Sequence, residues 1–453
     1  MPDPDFPTMI AGMAHSAADS DDSSATAISP SGDAANPQLT AAAPIPGARK
    51  ALVLLLSINL FNYVDRYILA AVEKPISEEF GVSKGQMGML VTAFLLTYMI
   101  VSPVFGWLAD RVSRWWLIGT GVILWSIASG ASGLAMGFAT LFAMRCLIGV
   151  GEGAYGPVAP TVISDLYPVS IRGRVLAWFY AAIPVGSALG YVIGGFFAKP
   201  GQWHWAFLLT LPPGILLGVF CFMMKEPPRG GVDAAKPHKA TLQDYKSLLR
   251  IKSYVLNCAA MTAMTFAIGG MAFFMPRYLE EQKGIPLDRA SMYFGAITAV
   301  GGLLATLAGG MAGDALRNRF GGAYFIVSAA GMLVGFPIFL AMLYVTEPWL
   351  LWTLLFFAVF CLFFNTGPSN TALANVTHPS VRATAFAVNI FAIHALGDAI
   401  SPAIIGVIAD HSNLQTGFLL VSLTILVGGV LWLWGARYLA ADTAAAPTSL
   451  GNK

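Results

Sequence analysis

Long apolar runs separated by short polar segments follow one another along most of the chain. A helix needs about 20 mostly apolar residues to cross the hydrocarbon core of a membrane, and twelve runs meet that requirement. The pattern predicts an all-α membrane protein with twelve transmembrane helices. The predicted spans are 51–73, 86–109, 115–135, 138–164, 173–198, 203–224, 253–276, 290–313, 322–345, 348–374, 382–408 and 415–438.

The cationic residues predict the orientation of these spans. With a cytoplasmic N-terminus, 18 of the 26 Lys and Arg lie in cytoplasmic segments and six on the opposite side. Loops rich in Lys and Arg stay in the cytoplasm. We therefore expect both termini in the cytoplasm and, because the chain carries no organelle signal, a location in the plasma or inner membrane.

The polar segments divide the chain into two halves. We predict an N-terminal six-helix bundle over 49–224 and a C-terminal six-helix bundle over 253–438, with tails at 1–48 (disordered) and 439–453. The linker, 225–252, ends in "TLQDYKSLLRIK". Its apolar stripe predicts an amphipathic helix on the cytoplasmic membrane face, although an ordinary soluble linker is the alternative.

Composition agrees with a membrane protein and excludes several other classes. The chain is 56% hydrophobic and 11% charged, against roughly 25% charged in soluble domains. It contains no phosphate-binding Gly–Lys loop, no HExxH and no GxSxG motif. We therefore expect no ATP-driven or enzymatic chemistry, no cofactor, no metal and no nucleic-acid partner.

Two short motifs occur once in each half. "GWLADRVSR" follows the second span and "GMAGDALRNR" follows the eighth, each with a Gly four residues before an Asp (Asp110, Asp314). "PVSIRGRVLA" follows the fourth span and "HPSVRATAFA" the tenth. Two matches in the same order indicate duplication of a six-helix unit, and therefore two pseudo-symmetric bundles.

These features resemble the major facilitator superfamily, whose loop between helices 2 and 3 carries the Gly–xxx–Asp–Arg–xx–Arg pattern. Within it, "NYVDRYIL", "RCLIGVGEGAYGPVAPTVISDLYP" and "RGRVLAWFYAAIPVGSALGYVIGG" resemble the Spinster family. The resemblance implies a transporter that works by alternating access. Spinster proteins are implicated in the export of sphingosine 1-phosphate and lysophospholipids, with proton coupling proposed for some. The resemblance also implies that helices 1 and 4 line a central cavity.

Four charged residues lie inside these two spans. Asp65 and Arg66 are in span 1, and Arg145 and Glu152 are seven residues apart in span 4, which places the latter two on one helical face. Charges at such depth are costly and usually face a water-filled cavity. We expect Arg66 and Arg145 to bind an anionic head group. Glu152 is the first candidate for proton coupling and Asp65 the second; a structural ion network is the alternative.

A second titratable pair occurs in span 11. His394 and Asp398 are one helical turn apart, so they can hydrogen-bond to each other. Histidine titrates near physiological pH. The pair is a rival site for proton coupling, or else a polar contact between helices of the two halves.

The C-terminal half offers aromatic and amide groups rather than charges in spans 7 and 10. A cavity with cations on one wall and aromatic rings on the other suits an amphiphile. Ordinary packing or lipid contact is the alternative for each phenylalanine. The candidate substrate-binding residues there are Phe266, Phe273, Phe360, Asn365 and Asn370.

The loop motif has a role that the resemblance implies. Asp110 would contact the cytoplasmic start of helix 11, near Ser380 to Arg382, and Arg111 would pair with Asp165 at the end of helix 4. In the second copy Ala315 replaces the first Arg, so that contact should be weaker. The residues of this expected cytoplasmic gate are Gly106, Asp110, Arg111, Arg114, Asp165, Asp314 and Arg317.

The sequence thus predicts a monomeric, proton-coupled secondary transporter of an anionic or zwitterionic amphiphile, such as a lysophospholipid or a sphingoid phosphate. Protons, membrane lipids and the amphiphile are its expected partners. One alternative is a proton-coupled carrier of small organic anions or drugs. Another is a membrane receptor or enzyme that transports nothing.

Overall fold

The computed structural model describes residues 45–109, 111–167, 169–228, 246, 248–377 and 382–446. All regular segments within these ranges are helical. Most of the predicted linker helix, and Asp110 and Ser380 of the predicted gate, lie outside the described residues.

Among the described residues, nine helices lie in the first half of the chain, and eight helices with one π-helical turn lie in the second. The first half contains α1 (Ala48–Ala71), α2 (Glu73–Phe80), α3 (Lys84–Ala109), α4 (Arg114–Ser132), α5 (Phe138–Gly153), α6 (Ala159–Leu166), α7 (Val169–Phe196), α8 (Trp203–Leu208) and α9 (Leu211–Phe222). The second half contains α10 (Lys252–Lys283), α11 (Leu287–Leu316), α12 (Ala323–Tyr344), α13 (Pro348–Phe363), α14 (Thr366–Val376), α15 (Arg382–Ile393), the π-helical turn π1 (His394–Asp398), α16 (Ser401–His411) and α17 (Leu414–Ala445).

Eleven helical segments of the described chain are long and apolar enough to cross a membrane. The fourth predicted span, 138–164, is divided into α5 and α6 by turns over 154–158. Pro157 lies in this break, and a proline interrupts the backbone hydrogen bonds of a helix.

One predicted boundary is wrong at the C-terminus. We predicted a tail from residue 439, but α17 continues to Ala445. Leu439 is 2% exposed, and the Asp442 carboxylate accepts a hydrogen bond of 2.8 Å from the backbone N–H of Ser253. The helix is longer than its apolar run because its last turns pack against the start of α10.

The helices of each half pack mainly on one another. In the first half α1 packs on α7, and α4 packs on α5 and α9; in the second half α17 packs on α10 and α12. Glycines make the closest contacts possible. A β-carbon at Gly121 would overlap the backbone of Gly151 in the neighbouring helix, as expected where small residues let membrane helices approach.

The helix pairs that join the halves include α1 with α10, α3 with α16 and α7 with α11. We call the end of the molecule where α1 begins the near end, and the end where α1 stops and α3 begins the far end. The central site lies between these two ends, on α1, α3, α5, α10 and π1.

Candidate functional site

A cavity of about 220 Å³ lies between the two halves. Helices α1, α3 and α5 line it from the first half, and α10 and π1 line it from the second. Arginines therefore occupy one wall and a histidine–aspartate pair the other. The polar and charged lining residues are Tyr63, Arg66, Tyr67, Arg145, Thr265, His394 and Asp398.

Asp65 and Arg66 are adjacent in α1 but face different surroundings. The Arg66 side chain is 21% exposed and lines the cavity. Asp65 is 3% exposed and points into the first half, where the Ser129 hydroxyl donates to Oδ1 at 3.2 Å. Successive helical residues differ in direction by about 100°. The side chains of Asp65 and Arg66 therefore do not form an ion pair with each other.

Arg66 binds Glu152. The distance from Arg66 Nη2 to Glu152 Oε2 is 2.5 Å, and Arg66 Nε donates to the same oxygen at 2.8 Å. The guanidinium also lies 5.0 Å from the Tyr63 ring, 4.9 Å from Phe94 and 5.6 Å from Tyr98. Aromatic faces attract a cation at these distances. The aromatic cage thus holds Arg66 at the cavity surface whether or not Glu152 is charged.

Arg145 is placed differently from Arg66. It is 3% exposed, and no carboxylate of the described chain lies within ion-pair distance of it. Its Nε and Nη2 atoms are buried and have no hydrogen-bond partner among the described residues. The guanidinium lies 5.4 Å from the Phe207 ring. Buried donors without acceptors are costly, so the burial of these two groups without a partner has no structural compensation among the described residues.

His394 and Asp398 form the pair that their spacing predicted. His394 Nδ1 lies 3.0 Å from both carboxylate oxygens of Asp398. Their side chains are 26% and 23% exposed and line the cavity. Both residues belong to π1, and π-helical turns inside α-helices are frequent at functional sites. The pair therefore faces the arginine wall across the cavity.

The predicted binding residues of the second half are scattered. Phe273 lines the cavity. Phe266 packs against the core, and Phe360 packs beside Phe364. The two amides, Asn365 and Asn370, donate hydrogen bonds to nearby backbone carbonyls. Asn365 Nδ2 donates to Leu362, and Asn370 Nδ2 donates to Thr366 at 2.8 Å. These four lie outside the two cavities described here.

A second, apolar chamber of about 50 Å³ lies beside the central cavity. The two spaces share Tyr67, Ile268 and Ala272 as lining residues. The sequence does not indicate this chamber, because spans 7 to 10 are apolar on all sides and show no face that would point inward. The other residues of the chamber are Met271, Met275, Phe294, Thr298, Phe339, Leu355, Ala358, Val359, Leu362 and Phe363.

Residues 55–399 match the family model of the Major Facilitator Superfamily. Protein spinster of Drosophila melanogaster is 36% identical over 371 residues, which cover 79% of this chain and 61% of that protein. Protein spinster homolog 3 of Danio rerio is 34% identical over 92% of this chain and 90% of its own length. The chain belongs to the Spinster family. It is therefore an integral multi-pass membrane transporter of a small-molecule substrate, and not an enzyme.

Solved structures confirm the twelve-helix fold of the superfamily. A bacterial homolog of the human lysosomal transporter Spinster, in an inward-facing and unoccupied conformation, superimposes with a TM-score of 0.80. The match covers 88% of this chain and 99% of that protein at 19% identity. A D-xylose–proton symporter superimposes with a TM-score of 0.68, over 84% of this chain and 96% of its own length, at 18% identity. These likenesses establish the fold alone.

The near end of this Spinster protein contains an ion pair other than the expected one. We expected Arg111 to bind Asp165, but Arg114 Nη1 lies 2.5 Å from Asp165 Oδ2. Arg114 also binds Glu226, with 2.7 Å between Nε and Oε1. Arg111 instead stacks on Trp107 at 3.8 Å. Arg114 is better placed because it begins α4 and is 4% exposed, whereas Arg111 lies in an exposed turn.

The second copy of the loop motif makes its own contact. Asp314 is exposed and accepts a hydrogen bond of 2.8 Å from the Tyr324 hydroxyl. Arg317 follows as the C-terminal cap residue of α11. Gly106, in the first copy, has no heavy atom within 4 Å of a β-carbon built on it. The gate function of these residues stays a prediction, since their contact with the start of α15 lies outside the described residues.

Proposed function

We propose that this Spinster-family transporter moves an anionic or zwitterionic amphiphile, a lysophospholipid or a sphingoid phosphate, by proton-coupled alternating access. The observation that carries the proposal is the position of Arg145. Arg145 lines the central cavity, its buried Nε and Nη2 atoms have no hydrogen-bond partner among the described residues, and the apolar chamber lies beside that cavity. One ligand that fits both surfaces must have an anionic head and an apolar chain.

The head group would bind at the arginine wall. A guanidinium binds phosphate or carboxylate through two parallel hydrogen bonds, and such charge-assisted bonds are stronger than neutral ones. Arg145 has Nε and Nη2 free for this purpose among the described contacts. Arg66 would join it when Glu152 gives up its ion pair. Head-group binding and the charge of Glu152 are then linked through the same guanidinium.

The chain would extend into the apolar chamber. Its lining is made of methionine, phenylalanine, leucine and valine side chains, with Thr298 as a polar exception. Burying a methylene group stabilises a complex by about 0.8 kcal/mol. A chain that enters the chamber would therefore add affinity that a small hydrophilic anion cannot obtain.

Relatives support this choice of substrate. A sphingosine-1-phosphate transporter of Danio rerio is 33% identical over 85% of this chain and 83% of its own length. The corresponding mouse protein is 32% identical over 86% of this chain. The substrate named for these relatives, sphingosine 1-phosphate, combines a phosphate and a long chain, which is the chemistry that the two cavities of this protein would accept.

Proton coupling is assigned to Glu152 first. A proton on Glu152 would neutralise the carboxylate and release Arg66 to the substrate, whereas a negative Glu152 competes with the head group. Asp65 is the second candidate, because it is buried close to the same cluster. His394 and Asp398 are the rival pair on the opposite wall.

We also propose the orientation and assembly. The near end, which holds Arg114 and Glu226, would face the cytoplasm, so both termini would be cytoplasmic in a plasma or inner membrane. The protein would work as a monomer, since each chain contains both halves of the alternating-access unit.

Transport by purified protein in liposomes tests the proposal. The assay offers labelled lysophosphatidylcholine, sphingosine 1-phosphate and a small dicarboxylate, with and without a pH gradient, to wild type and to Arg145→Ser. Saturable, gradient-driven flux of a lipid that Arg145→Ser loses is the expected result. Flux of the dicarboxylate alone would show that the substrate is a small organic anion and not an amphiphile. Arg289→Ser removes an exposed arginine and serves as the control.

A further inference from the structure

An aspartate of the second half caps a helix of the first half at the far end. The Asp410 carboxylate accepts hydrogen bonds from the backbone N–H groups of Lys84, at 2.8 Å, and Gly85, at 2.9 Å. Lys84 is the first residue of α3, and Asp410 is near the end of α16. The contact therefore joins opposite halves of the transporter.

This contact is electrostatically favourable only while the halves touch. The first N–H groups of a helix have no acceptor within the helix, and the helix dipole makes that end attractive to an anion. α3 receives its N-terminal anion from α16, across the interface between the halves. If the far end opens, α3 loses the cap and Asp410 loses both donors.

The backbones of α3 and α16 meet below this cap without intervening side chains. A β-carbon at Gly88 would overlap the carbonyl group of Pro402, and one at Gly406 would overlap the carbonyl group of Lys84. The Thr92 hydroxyl donates to the carbonyl oxygen of Ala399. Contacts of this kind require exact placement of two rigid helices and are lost together when the helices separate.

Ion pairs to α10 surround the capped helix. Lys84 Nζ lies 3.1 Å from Glu281 Oε2, so the residue that opens α3 is bound by both α10 and α16. Lys74 Nζ lies 2.9 Å from Glu280 Oε1, and Arg277 Nη1 lies 2.7 Å from Glu73 Oε1. Each pair joins the first half to the second.

We propose that Asp410 is a latch that holds the far end shut, and that the transporter opens this end by withdrawing Asp410 from the N-terminus of α3. Alternating access requires that one end be released as the other is closed. The latch is independent of the substrate proposed above, because it follows from contacts between the halves and not from the cavity.

Distances between spin labels in purified protein test the latch without any substrate. One label pair replaces exposed far-end residues, Met136 in the first half and Thr346 in the second. A second pair at Lys50 and Arg319 reports on the near end. In Asp410→Ala the far-end-open population should rise about fivefold, the effect of losing an N-terminal cap of ordinary strength, while near-end distances shorten. Asp410→Asn, which keeps one acceptor oxygen, should fall between wild type and Asp410→Ala.

Matched variants separate a latch from a loosened bundle. Gly88→Ala should open the far end too, whereas Gly302→Ala should not, since its β-carbon would make only ordinary contacts, with Phe363 nearest at 3.7 Å. Glu78→Gln removes an exposed far-end charge and should leave the distances unchanged. Distances in Asp410→Ala equal to wild type would overturn the latch. Longer distances at both ends together would also overturn it, because rocking must close one end as it opens the other.

Discussion

Arg66 holds the carboxylate of Glu152 at 2.5 Å, on the wall of the central cavity. This contact gives Arg66 two possible partners, Glu152 and a bound anion. Asp65 does not take part in that choice, since it faces Ser129 inside the first half. Of the two acids of the cluster, Glu152 is therefore bound to a cavity-lining arginine, whereas Asp65 is bound inside the first half.

Glu152→Gln should bind lysolipid at least as well as wild type and lose its dependence on a pH gradient. The amide cannot carry a charge, so Arg66 becomes available to the head group at every pH, and proton release no longer accompanies transport. Binding and flux in liposomes at two gradients measure this. Glu78→Gln, at an exposed position, is the control. Gradient-driven flux that persists in Glu152→Gln would exclude Glu152 as the proton-coupling residue. That role would then belong to Asp65 or to the His394–Asp398 pair.

Arg145→Lys should weaken lysolipid binding by about 10- to 100-fold, although the charge is kept. A hydrogen bond to a charged group contributes about 1.5–3 kcal/mol, and an ammonium cannot reproduce the two parallel bonds of a guanidinium. Calorimetry on detergent-solubilised protein gives the affinity. An unchanged dissociation constant would show that Arg145 acts only through its charge, or not at all on the ligand.

Val359→Trp should abolish the preference for long chains. In the wild type each additional buried methylene should increase affinity about fourfold, the equivalent of about 0.8 kcal/mol, until the apolar chamber is full. A tryptophan at Val359 fills the chamber and should make affinity independent of chain length. Phe357→Trp on the same helix, at a half-exposed position, is the control. The same chain-length series in both variants would exclude the chamber as the chain site.

The sequence predicted the arginine wall because charges in apolar spans are rare, and each one therefore indicates a site. Tyr63 and Tyr67, three residues before and one after Arg66, also line the cavity. Their four-residue spacing places them on one face of the helix. The apolar residues gave no such signal. Phe273 and Phe360 look alike in sequence, but only the first lines the central cavity. Their difference depends on the rotation of each helix in the bundle.

Arg114→Ala should lower the free energy of unfolding by about 2–3 kcal/mol, whereas Arg111→Ala should leave it nearly unchanged. Arg114 is buried and bound to both Asp165 and Glu226, and removing a buried charged group that makes two ion pairs is destabilising. Arg111 is exposed, where ion pairs contribute little. Thermal unfolding in detergent measures the difference. Equal melting temperatures for the two variants would contradict the assignment of Arg114 as the partner of Asp165.

Glu73 should make closure of the far end depend on pH. It lies beyond the first span, in α2, and is 1% exposed. Burial raises the pKa of its carboxyl group to about 7, although Arg277 opposes the shift. Glu281 on α10 and Lys84 on α3 are the other charged groups that act on it. Opening would return Glu73 to water and its pKa to the ordinary value of about 4.3.

The sign of the pH effect follows from these two states. The closed end has the higher pKa and therefore binds the proton more tightly, so acid favours closure and a rise in pH through about 7 favours opening. Far-end label distances between pH 5 and pH 8.5 should lengthen in wild type as pH rises. Glu73→Gln resembles the protonated group and should remain closed across the range. A far end that opens in acid, or a variant that keeps the full pH response of the wild type, would show that the Glu73–Arg277 pair does not control closure.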